Sequence, residues 1–154
     1  MIKMKPLFVL LVVFSISVFA IKLVTRKYDF PLSARIALCA MLFFTAMGHL
    51  LYTKGMTMMI PNFIPFKTGL IYFTGVLEIL LGICLLIPSV RLYAGWILIL
   101  FFILLLPANI KASIENLDYQ KGTFDGNGLS YLWFRVPLQI LFIAWAYLSS
   151  VKMW

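Results

Sequence analysis

Five apolar blocks of about twenty residues each, separated by short polar segments, leave this chain few folds to adopt. They cover residues 6–24, 35–52, 69–87, 92–110 and 131–151. Each approaches the ~20 residues that a helix needs to cross ~30 Å of hydrocarbon. Backbone polar groups must pair internally there, so helices are the natural form. The Leu, Ile and Phe runs lack the alternation of a membrane-barrel strand. With 64% hydrophobic residues and a mean hydropathy of +1.04, the chain is too apolar for a soluble or disordered class. The fold expected is all-α: a polytopic membrane protein with a four-helix transmembrane bundle in residues 35–154. One extra N-terminal transmembrane helix and a basic linker precede it in residues 1–34.

The first block also has the look of a secretion signal. Lys3 and Lys5 precede an apolar core, and Val18-Phe19-Ala20 could be cleaved. Against cleavage, Leu23 and Val24 continue the apolar run past Lys22, which can snorkel to the interface. Cleavage would also leave Lys22, Arg26, Lys27 and Arg35 on the translocated side, against the positive-inside rule. The expectation is a retained helix.

The formal charge of +8 falls in the segments between blocks. It forms no basic stripe and accompanies no nucleic-acid motif, so the lipid bilayer is the expected partner and nucleic acid is not. Lys22, Arg26, Lys27, Arg35, Arg91 and Lys152 lie on one side, and Lys3, Lys5, Lys54, Lys67, Lys111 and Lys121 on the other. The first set is denser near helix ends and is placed in the cytoplasm, with the N-terminus outside. Cys39 and Cys84 stand in separate blocks without a CxxC or a nearby His, and read as small apolar residues. Met56, Met58 and Met59 could attract a soft metal, but among Ile60, Phe63, Ile64 and Phe66 they read as interfacial packing. No metal site is expected.

Residues 88–91 form a tight turn, which makes blocks three and four antiparallel neighbours. Residues 54–68, with Pro61 and Pro65, read as too broken for a helix, and residues 116–130 as a glycine-rich surface loop. Asn62, Asn116 and Gly126 therefore belong on one side of the membrane, with Arg26 and Arg91 on the other. Tyr131, Trp96, Trp133 and Trp154 read as interfacial anchors.

Glu78 and Arg135 are the two charges inside blocks three and five. A charge in hydrocarbon is costly, so each points to a functional site and to the other as its partner. Following the antiparallel order, His49, Asn109 and Gln139 converge on the same end of the bundle. Gly75, Glu78 and Gly82 share one helix face, and small residues let membrane helices approach closely. The candidate site is His49, Glu78, Asn109, Arg135 and Gln139.

Several stretches resemble the DoxX family of small bacterial membrane proteins. They are Ala46-Met47-Gly48-His49, residues 60–65, residues 72–82, residues 106–110 and Arg135-Val136-Pro137-Leu138-Gln139. The resemblance implies a four-helix unit in the bacterial inner, or plasma, membrane. It further implies association with a redox or quinone-linked system, a quinone as candidate cofactor, and a membrane or redox partner protein. The alternative is a non-catalytic assembly or chaperone protein in which the polar cluster is structural.

Overall fold

The computed structural model describes residues 4–152. Lys3 and Trp154, two residues used in the sequence reading, lie outside that range. Seven α-helices follow one another: α1 Lys5–Thr25, α2 Phe30–Leu51, α3 Thr53–Met59, α4 Lys67–Leu86, α5 Arg91–Leu104, α6 Leu106–Ile114 and α7 Leu129–Ala146. A π-helical turn over Tyr147–Val151 extends α7. Five spans are long and apolar enough to cross a membrane: α1, α2, α4, α5 with α6, and α7 with its π turn. Among the described residues no β-strand forms; Asp118 and Thr123 make an isolated bridge inside the polar loop.

The helix ends follow local chemistry. The Asp29 side chain accepts from the Leu32 N–H at 2.9 Å, and Pro31 occupies the first turn. This is a conventional N-cap with a proline whose missing N–H is not needed there, and it starts α2 five residues before the apolar block begins. Between α4 and α5, the Ile87 carbonyl accepts from both Val90 and Arg91 N–H. That turn makes α4 and α5 antiparallel neighbours, as the sequence implies.

Two segments correct the sequence reading. Residues 53–59 form the short helix α3, because Pro61 and Pro65 act only after it has ended. Block four is interrupted at Leu105, and Pro107 sits in the first turn of a new helix, α6. Proline disrupts a helix interior but is tolerated at its start.

Helix α2 is the spine of the bundle. It packs on α1, α4, α7 and the π turn, while α5 packs on α4, α7 and the π turn. The core comprises Leu38, Leu42, Leu85, Leu98, Phe142 and Ala146 among others. Helix α1 packs extensively along α2, with Leu10 fully buried, and its Phe14 makes an edge-to-face contact with Trp145 of α7 at 5.1 Å. Much of the outer surface is apolar, including Phe8, Phe19, Leu23, Phe73, Val76, Trp96 and Trp133.

At the other end from the tight turn, α4 makes no extended contact with α6 or α7. Helix α3 lies between α4 and α6 and touches both. Its seat on the polar loop requires glycine, since a Cβ on Gly55 would fall 1.6 Å from the Tyr119 carbonyl oxygen. Lys111 Nζ ties α6 to the segment after α3, donating to the carbonyls of Met58 and Ile60, each at 2.9 Å, and to Asn62 Oδ1 at 3.3 Å.

Candidate functional site

The open end of the bundle holds a cavity of about 720 Å³. Phe44, Leu77, Phe101, Phe102, Leu138 and Phe142 are among its apolar walls. Met59, Ile60, Pro61 and Ile64 contribute from α3 and the segment after it. All five residues singled out in the sequence line it: His49, Glu78, Asn109, Arg135 and Gln139.

The glycine face of α4 decides where Glu78 points. A Cβ on Gly75 would lie 3.0 Å from His49 Cβ, and one on Gly82 would lie 3.4 Å from Cys39 Sγ. Both glycines therefore mark the face that packs against α2. Glu78 lies between them on that face and is turned to α2 as well. Its Oε2 accepts from Thr45 Oγ1 at 2.9 Å, and its Oε1 lies 3.6 Å from His49 Nε2. The second distance suits charge pairing but is longer than a direct hydrogen bond.

The expected Glu78–Arg135 pair is not formed. Arg135 stands on α7, which makes no extended contact with α4, and its guanidinium lies over the Tyr131 ring, 5.9 Å from the centroid. Among the described residues, no carboxylate reaches it within ion-pairing distance. Charge complementarity alone selected the wrong partner, because close helix packing aims the carboxylate at α2.

The histidine is held by its other nitrogen. His49 Nδ1 lies 2.8 Å from the Ile71 carbonyl oxygen and 3.1 Å from Thr74 Oγ1. A carbonyl can only accept, so Nδ1 carries the proton. Nε2, facing Glu78, is then bare in the neutral ring and protonated in the imidazolium.

The neighbouring hydroxyls suit both arrangements. Thr45 Oγ1 is also 3.0 Å from the Leu42 carbonyl, and Thr74 Oγ1 is 2.9 Å from that of Ile71. A hydroxyl rotates to donate in either direction and keeps acceptor capacity. Thr45 can donate to a Glu78 carboxylate, or turn its proton to Leu42 and accept from a carboxylic acid.

A second polar chain crosses the cavity wall. Tyr131 Oη donates to Asn109 Oδ1 at 3.3 Å, and Asn109 Nδ2 donates to Gln139 Oε1 at 3.2 Å. Gln139 Nε2 in turn donates to the Phe102 carbonyl, close to the α5–α6 break. Asn109 is therefore linked to Gln139 across two helices rather than serving as a local cap.

Sequence reasoning missed Thr45, Thr74 and the inward role of Tyr131. Thr45 and His49 are one helical turn apart on α2, as are Thr74 and Glu78 on α4, so the 3.6-residue period carried the signal. Cys39 and Cys84 are both free thiols, and no group of three metal-ligating side chains occurs among the described residues.

A family model matches residues 38–150, from within α2 to the π turn, and is described as a domain of unknown function (DUF8561). The chain belongs to this family. The match corrects the DoxX resemblance. The stretches behind that resemblance are small-residue and polar spacings of a kind that a compact helical bundle with a polar interior needs, whatever its ancestry. As a DUF8561 member the chain carries all five candidate residues inside the matched region, while α1, whose Lys5 and Pro6 also line the cavity, lies outside it. Comparison with curated proteins and with solved structures returns no match.

Proposed function

We propose that this DUF8561 protein is a multi-pass protein of the plasma membrane whose cavity binds a lipid-dissolved quinone or quinol. The supporting observation is the His49–Glu78 pair, with the Thr45 hydroxyl that can donate to or accept from the carboxyl, on the wall of an otherwise largely apolar cavity. Small-molecule sites are typically 300–1,000 Å³ and mostly apolar, with few convergent polar groups. A quinone matches that balance, having an apolar body and two ring oxygens. When bound, it would supply carrier chemistry in which electrons and protons move together.

The residues divide the work. Arg135, with no carboxylate within ion-pairing distance among the described residues, can donate to a ring oxygen, as can the Gln139 amide. The His49–Glu78 pair can hold or release one proton without leaving either group unpartnered. Electrons would come from a membrane or redox partner protein.

The alternative is a non-catalytic assembly or chaperone protein. It draws support from the internal satisfaction of the cluster, since Glu78, His49, Asn109 and Gln139 each have protein partners. The two readings separate on binding. Protein reconstituted in nanodiscs should take up a short-chain quinone saturably, near one per chain, and Arg135→Met or Gln139→Leu should weaken that uptake. Uptake that only follows partition into the lipid, equal in wild type and variants, would leave the assembly reading.

A further inference from the structure

A second arginine is without a partner among the described residues, at the tight-turn end of the bundle. Arg35 lies on α2 and is only 9% exposed. Its Nε is enclosed without a hydrogen-bond partner, and among the described residues no hydrogen bond or ion pair reaches the guanidinium. Arg91, the first residue of α5, lies close enough to act on it as a like charge. Asp29 is the nearby carboxylate, but its Oδ1 is held by the Leu32 N–H and it lies beyond ion-pairing distance of the guanidinium. The site is built firmly: Trp145 Nε1 donates to the Ala34 carbonyl at 3.0 Å, fixing α7 beside this turn of α2.

Burying a guanidinium without a directly paired counter-charge is costly, and a second cation nearby increases that cost. An anion is the group that this arrangement lacks. Arg35 lies five residues beyond Phe30, about 8 Å along α2. Helical side chains lean toward the helix N-terminus, and a long arginine reaches a headgroup from that depth. Lys22, Arg26 and Lys27, all exposed, flank the same end. Guanidinium groups match phosphate oxygens in geometry.

We propose that Arg35 and Arg91 bind the phosphate of an anionic phospholipid, locking α2 to α5 at that membrane face. The inference rests on the membrane-embedded reading, not on the quinone, so failed quinone binding leaves it standing.

The test is lipid retention by the full chain in mild detergent, measured by native mass spectrometry. Wild type should keep one phosphatidylglycerol through dilution, release phosphatidylcholine, and melt higher with the former. Arg35→Gln and Arg91→Gln should each lower retention by about fivefold. Circular dichroism reports whether each variant is folded. If Arg35→Gln unfolds, Arg91→Gln at the less buried position decides. Equal retention of phosphatidylglycerol by wild type and folded variants would overturn the proposal. So would equal retention of phosphatidylcholine. Inorganic phosphate that raises the melting temperature as much as phosphatidylglycerol would overturn the lipid assignment, because the source would then be a soluble anion.

Discussion

His49 Nε2 lies 3.6 Å from Glu78 Oε1 because Gly75, one turn before the glutamate, lets α4 close on the histidine. A methyl group at Gly75 would sit 3.0 Å from His49 Cβ. The pair is thus a product of helix approach rather than of charge attraction across the bundle. Gly75→Ala should push the helices apart and cost about 1–3 kcal/mol, as overpacking does. Gly69→Ala is the control, since a Cβ there meets nothing within 4 Å. It should be neutral or stabilising, by up to ~1 kcal/mol. Thermal unfolding in detergent compares the two, and an equal effect would show that α4 does not rest on His49.

The coupling of Glu78 can be assigned by double-mutant cycles. Glu78→Gln and His49→Gln should show an interaction energy of about 0.5–3 kcal/mol, as contacting residues do. Glu78→Gln and Arg135→Met should add to within ~0.5 kcal/mol, because no ion pair joins them. The reverse pattern in melting data would restore the cross-bundle pair.

The helical architecture was legible because long apolar runs have one solution in hydrocarbon. Helix ends were less so: the Asp29 cap and Pro31 were visible as letters, but a search for apolar residues passed over them. The α5–α6 break was hidden because Pro107 is equally compatible with a stop and with a start. That His49, Glu78, Asn109, Arg135 and Gln139 share one end of the bundle follows from crossing number alone; that they line one cavity is seen only in the structure. Pairing inside the cavity did not follow. It depends on which face α4 presents to α2, and the spacing of Gly75 and Gly82 marks a packed face without naming the helix it packs against.

Topology offers a direct check. Asn62 and Asp125 are exposed at the cavity end, and Lys27 and Ser89 at the other. Single cysteines at these four sites, in a background without Cys39 and Cys84, should label with an impermeant thiol reagent in two matched pairs. Asn62 and Asp125 should share one compartment, and Lys27 and Ser89 the opposite one. Labelling of Asn62 and Asp125 from different sides would rule out the even number of crossings between them.

Lys111 is expected to hold the cavity's cover in place. The Met58 and Ile60 carbonyls cannot be satisfied by a continuing helix, since α3 ends at Met59. The lysine ammonium supplies both, at 2.9 Å each, and reaches Glu115 Oε2 at 3.8 Å. Hydrogen bonds to charged groups typically contribute ~1.5–3 kcal/mol. Lys111→Met should therefore speed hydrogen exchange of the amides of residues 54–66, with little change in α2 or α5. Met59, Ile60, Pro61 and Ile64 line the cavity, so the same variant should also lose bound quinone faster while keeping Glu78, His49 and Arg135 intact. Unchanged exchange in residues 54–66 would show that helix packing, not the lysine, holds that cover. Faster exchange with unchanged quinone release would show that the ligand leaves by another route.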